Sequence, residues 1–176
     1  MERDNSIQVD ESFKVRIAAL LDAAPPGPLP APPDEDYPAR VRESFGRQGL
    51  MAHLGATVAA VRPGQVAVLM PFSPALTQHD GFFHAGATSA IADSAGGYAA
   101  YTLFPADSGV LTVEFKINLL APARGDALVA IGTVLKPGRT LTVTTLAVHA
   151  LAGDGTVHCA AGQQTMIRPP ARPASG

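Results

Sequence analysis

Apolar and polar positions alternate most cleanly where Leu111, Val113, Phe115, Ile117 and Leu119 interleave with Thr112, Glu114, Lys116 and Asn118. A period of two over nine residues predicts a β-strand. Pro122 and Gly125 end it, and three further strand candidates follow at residues 127–135, 141–150 and 156–167. Lys136-Pro137-Gly138-Arg139 and Gly153-Asp154-Gly155 separate them, so all four strands are expected to be connected as hairpins. Upstream, residues 54–61 and 65–72 flank Arg62-Pro63-Gly64 and predict another hairpin. Short turns imply antiparallel pairing throughout.

Between these two strand groups the pattern breaks. Residues 78–101, QHDGFFHAGATSAIADSAGGYAAY, open with polar and aromatic groups and then run through very small side chains. Alanine favours helix, and the run is too long for a typical strand. Small residues on every side predict a helix that neighbours approach closely all round. Inside it stands one carboxylate, Asp93, between Ala92 and Ser94. A buried acid needs a partner or a task.

Towards the N-terminus, Val9, Phe13, Ile17, Leu20 and Leu21 recur at helical spacing and predict an amphipathic helix. PPGPLPAPP, at residues 25–33, predicts an extended linker. Pro38 suits the first turn of a second helix running to about Met51, with Val41 and Phe45 on one face. Together these read as residues 1–50 of helices and linker, a main domain at 51–168, and a disordered tail at 169–176. Two strands, a helix and four strands make an α+β fold, with one antiparallel sheet wrapped around the central helix.

Bulk composition narrows the function classes. With 176 residues, 47% hydrophobic and 16% charged, the chain can bury a real core. A net charge of −2 gives no basic footprint for nucleic acid. A lone cysteine excludes an internal disulfide framework, and the charged start MERDNSIQVDES lacks an apolar signal core. No apolar run suits a membrane span. The expectation is a soluble cytoplasmic protein. No P-loop pattern or nucleophile-elbow glycine pattern occurs, and His79, Asp80 and His84 are too sparse to predict a metal site.

The element order, with His84-Ala85-Gly86 opening the helix and Ala92-Asp93-Ser94 inside it, resembles a hotdog-fold acyl-CoA thioesterase. The nearest branch is the phenylacetate-degradation (PaaI-like) type, related to the 4-hydroxybenzoyl-CoA thioesterases. VEFKINLLAPARGD, at residues 113–126, is similar to that family's strand and turn, and the resemblance covers about residues 50–168. It implies an acyl-CoA substrate, no cofactor beyond that coenzyme A, no metal, and a homo-oligomer (dimer or dimer of dimers) that pairs two helices. One departure is that Ala85 stands where the family has glycine. Alanine still offers a backbone N–H if its angles are allowed, but adds a Cβ beside the carbonyl.

Thioester hydrolysis needs a polarised carbonyl and an activated water or nucleophile. The unpaired N–H groups of a helix start, here at Ala85 and Gly86, suit a developing oxyanion. Asp93 is the general base or the nucleophile. Eight residues separate Ala85 from Asp93, about 12 Å along a helix, so one carbonyl cannot touch both within one chain. The site is therefore expected to join Ala85 of one subunit to Asp93 of another.

By family position Gln78 matches a side chain that orients water or the thioester, and Thr112 one that sits near the carboxylate. The plain alternatives are a solvated loop glutamine and a strand threonine sharing a polar face with Glu114. His84 either caps the helix or contacts substrate. Phe83 lines an acyl pocket or packs in the core, and Arg139 meets coenzyme A phosphates or is a solvated turn charge. Two rival functions remain at this stage: a dehydratase or hydratase built on a His–Asp pair such as His79-Asp80, and a non-catalytic acyl-CoA sensor.

Overall fold

A computed structural model describes residues 11–169. In chain order it contains α1 (Glu11–Ala23), α2 (Tyr37–Gly46), α3 (Gly49–His53), β1 (Thr57–Arg62), β2 (Gln65–Pro71), a 3-10 turn (Pro74–Leu76), α4 (Ala85–Tyr101), β3 (Leu111–Leu119), β4 (Ala127–Lys136), β5 (Leu141–Ala152) and β6 (Gly155–Ile167). Val9 and residues 170–176, and with them most of the expected tail, lie outside the described residues.

All six strands form one antiparallel sheet in the order β1-β2-β4-β5-β6-β3. The α+β architecture is as expected, but the hairpin between β3 and β4 is not formed. β3 pairs with β6 at one edge, while β4 lies between β2 and β5. Their connection, residues 120–126, carries Pro122 and crosses the end of the sheet. It is anchored by Leu120 N–H to Cys159 O (2.8 Å), Phe83 N–H to Ala123 O (2.9 Å) and Asp126 N–H to Leu151 O (2.7 Å). Seven residues tethered to three other segments make a crossover, not a turn.

The sheet is covered on both faces, which explains why β2 and β4 read as continuous apolar runs. Val66, Val68, Met70, Leu128, Ala130 and Val134 join the α4 side, together with Val41, Phe45 and Met51. Ala67, Leu69, Ala127, Val129 and Ile131 join Phe13, Ile17 and Leu21 of α1 on the other. The expected second helix is two helices. Arg47 and Gln48 turn on i−3 bonds to Ser44 O and Phe45 O, and Gln48 is extended (φ −80°, ψ 109°). Gly55, at φ +64°, ends α3, so β1 begins at Thr57 and not at 54.

The small side chains of α4 have an intrachain explanation. Ala92, Ala95, Gly96 and Ala99 are buried within this one chain. A Cβ on Gly132 of β4 would stand 2.3 Å from the carbonyl carbon and oxygen of Ala95, so helix backbone lies directly on the sheet. The residues of the helix start differ: Ala85 and Gly86 are exposed.

On the α1 side of β5 and β6, His149 and His158 stack with ring centroids 4.6 Å apart. Burial, and then the charge of His158, lower the pKa of His149 to about 4. Between about pH 6.5 and 4 the unfolded chain therefore binds more protons than the folded one. Stability is expected to be full above pH 6.5 and to fall as the pH drops to about 4. Thermal melts across that range should show this slope in wild type and a shallower one in His149→Gln. Equal slopes in the two proteins would refute the assignment.

Candidate active site

α4 begins where the sequence chemistry turns from loop to helix. His84 is the N-cap (φ −64°, ψ 138°), and its Nδ1 accepts the Gly86 N–H at 2.8 Å. That bond occupies one of the helix-start donors. Ala85 is the first helical residue, and its N–H has no acceptor among the described residues.

Two turns further on, Asp93 is half-buried, with its carboxylate held on one side. Thr112 Oγ1 donates to Asp93 Oδ1 at 2.7 Å, and Gln164 Nε2 donates to the same oxygen and to the Asp93 main-chain carbonyl at 3.2 Å. Gln164 Nε2 also lies 3.1 Å from Thr112 Oγ1, while Thr144 Oγ1 donates to Gln164 Oε1 at 3.3 Å. The second carboxylate oxygen, Oδ2, has no hydrogen-bond partner among the described residues. Asp93 lines a cavity of about 430 Å³, and Oδ2 is the carboxylate oxygen left without a protein partner there.

Thr112 reaches Asp93 because β3 bulges. The β3–β6 register shifts between Thr112 and Glu114, which puts the two side chains on opposite faces. Thr112 faces the helix, whereas Glu114 accepts from Thr165 on the other side. The expected shared polar face is thus split by one residue.

Three side chains at this site escaped sequence reasoning. Gln164 is 1% exposed and turned inward from β6, but it stands beside Gln163 and Thr165, so nothing in the sequence separated it from its polar neighbours. Gly96 makes room for it, since a Cβ there would meet Gln164 Oε1 at 2.1 Å. Ser44 and Gln48 come from the junction of α2 and α3, and both line the Asp93 cavity. Nothing local in the sequence marked them.

The other candidates sit elsewhere in the chain. Gln78 closes its own loop: its Oε1 accepts from the Asp80 N–H, and its main chain bonds Phe82 and Gly81. Phe83 is 4% exposed in the core, with its ring edge-on to Phe72 at 5.5 Å. His84 and Gly86 line a separate depression of about 260 Å³ with Leu76 and Leu50. Arg139 is exposed at the β4–β5 turn, in a cleft with Arg168 and Phe104. His79 contacts Asp80 at 3.3 Å in solvent. Among the described residues no three metal-ligating side chains cluster, and no helix is long and apolar enough to cross a membrane.

The profile of the Thioesterase superfamily matches residues 80–156, which hold α4, β3, β4 and the whole of β5. A protein of Halobacterium salinarum named "Putative esterase" is 30% identical over 119 residues, covering 65% of this chain and 78% of its own. A crystal structure of a thioesterase family protein from Silicibacter pomeroyi is 45% identical and superposes with a TM-score of 0.74, over 75% of this chain and 97% of that one. The PaaI protein from the phenylacetic acid degradation operon of Escherichia coli shares the fold at 17% identity, with a TM-score of 0.68 over 77% and 95% of the two chains. A sheet wrapped around a small-residue helix bearing one poised carboxylate is thus found with matching sequence: the chain belongs to the thioesterase superfamily, with the hotdog fold.

Proposed function

We propose that this protein hydrolyses acyl-CoA thioesters to the free acid and coenzyme A, in a site shared by two subunits. The observation that carries this reading is the Asp93 carboxylate, fixed through Oδ1 and open at Oδ2. An acid held by Thr112 and Gln164 in one orientation is suited to act on a reacting atom in the cavity. As a general base, Oδ2 takes a proton from water while the water oxygen bonds to the thioester carbon. The tetrahedral oxyanion then collapses, the C–S bond breaks, and the thiolate leaves with a proton. As a nucleophile, Oδ2 forms a mixed anhydride, releases the thiol, and is freed when water cleaves the anhydride.

Either route builds charge on the carbonyl oxygen. The Ala85 N–H at the positive end of α4 is suited to receive it. Since Ala85 and Asp93 are about 12 Å apart along the helix axis, the donor belongs to a second copy. Support for that copy comes from β3, an edge strand whose Leu111, Val113, Phe115 and Leu119 are 44–58% exposed. An uncovered apolar edge is a pairing surface. In the pairing the exposed start of α4 would approach the partner's Asp93. Gln78 would enter the same shared site from the loop before α4, and Arg139 is a contact for the coenzyme A phosphates. The direct test is free-thiol release from a panel of acyl-CoAs by the wild-type protein. Turnover of at least one is expected; saturable binding of acyl-CoA with no thiol release would instead make this a sensor.

A further inference from the structure

Asp93 faces a cavity whose opposite wall comes from the N-terminal helices, and the polar groups there are linked in a chain. Ser94 Oγ donates to Gln48 Oε1 at 3.3 Å, Gln48 Nε2 donates to the Tyr98 hydroxyl at 2.9 Å, and Tyr98 and Ser44 share a bond of 3.2 Å. Gln48 is the N-cap residue of α3, yet its side chain makes no cap bond and turns to α4 instead. Tyr98 is 4% exposed and Ser94 8%.

Counting protons shows what this wall lacks. Gln48 has two amide hydrogens and uses one on Tyr98. Between Tyr98 and Ser44 one hydroxyl donates to the other, which leaves the second hydroxyl proton over, whichever way the bond runs. So one N–H and one O–H have no acceptor among the described residues, and all three side chains line the Asp93 cavity. The floor between them and the carboxylate is Gly97, one turn from Asp93 on the same stripe of α4, where an added Cβ would come to 3.3 Å from Met166. Tyr98 lies five residues past Asp93, about 7.5 Å along the helix axis.

Resting on the thioesterase reading above, we infer that Ser44, Gln48 and Tyr98 are specificity-determining residues for the acyl group. They select short acyl chains whose far end carries an oxygen acceptor, against plain alkyl chains of the same length. An alkyl end would cover both donors without offering them an acceptor, which a polar end avoids. Gly97 keeps the path from the carboxylate to this wall open. The N-terminal helices then form one wall of the acyl pocket and are not a cover distant from the chemistry.

The test compares kcat/KM for free-thiol release from pairs of acyl-CoAs of equal chain length, one ending in a methyl and one in a hydroxyl or keto oxygen. Wild type is expected to favour the oxygenated member by about tenfold or more. In Tyr98→Phe, and separately in Gln48→Leu, that ratio should fall to near one, with the loss in KM as well as kcat. The Tyr98→Phe change removes only a hydroxyl, so a protein that still melts cooperatively reads the specificity and not the fold. A preference for the methyl member, or an unchanged ratio in both variants, would overturn the inference while leaving the hydrolase intact. No thiol release from any acyl-CoA would overturn the hydrolase reading, and the inference with it.

Discussion

Asp93→Asn is expected to lower thioester hydrolysis by about 10²-fold or more while the protein melts close to wild type. The substitution is chosen for its geometry. Asparagine keeps an oxygen where Thr112 and Gln164 donate to Oδ1, so the bonds that position the side chain survive. Only Oδ2, the oxygen without a protein partner, is exchanged, for an amide that can neither take a proton nor attack a carbonyl. A structural aspartate would lose little here, because its one observed set of bonds is retained. Thiol-release rates for the two proteins, read beside their melting curves, decide between these. Equal turnover would remove Asp93 from the chemistry.

Ala85→Pro is expected to cost about 10²–10³-fold in kcat, again with the fold preserved. Proline deletes the Ala85 N–H, a helix-start donor that stays open while His84 takes that of Gly86. In most places it would also break the helix, but here it should not. Ala85 is the first residue of α4, a position where proline's fixed φ is already helical and its missing N–H was unpaired. The preceding His84, at φ −64° and ψ 138°, has the extended backbone that proline requires of its neighbour. Circular dichroism should show unchanged helix content, and thiol release should be nearly lost. Retention of activity would move the oxyanion donor away from Ala85.

These two positions stand out as candidates because their signals are local. A lone carboxylate in a small-residue helix stands out in any reading, and the helix start is marked by the change from polar loop to alanine run. The strand β3 was legible for the opposite reason that it is an edge: with neither face packed tight, its alternation was never blurred. The pairing partner of β3 was not legible. Register between β3 and β6 joins residues about fifty apart in sequence, and the crossover at residues 120–126 looks like any Pro- and Gly-bearing turn until its three anchors are seen.

The remaining omissions share that cause. Gln164 holds Asp93 from 71 residues away, and Gln48 reaches Tyr98 from 50. Each is an ordinary surface residue type whose meaning comes from what the fold places opposite it. Thr112 was picked by position, but the bulge that aims it at Asp93 is a product of strand pairing. The small residues of α4 predict close neighbours without naming them, and Gly132 and Gly96 show that the chain's own sheet and the Gln164 side chain claim the middle of that stripe. What is left open to a second copy is the exposed start of the helix, which is where the proposed shared site would need it.

Mixing subunits tests the proposed shared site directly. Asp93→Asn and Ala85→Pro chains are each expected to be nearly inactive alone. Co-expressed or unfolded and refolded together, they form mixed dimers in which one site carries both defects and the other carries neither. With random pairing about half the dimers are mixed and half of their sites are whole, so about a quarter of wild-type thiol release should return. Were Asp93 and Ala85 to act within one chain, every site would keep a defect, and the mixture would stay as inactive as its parts.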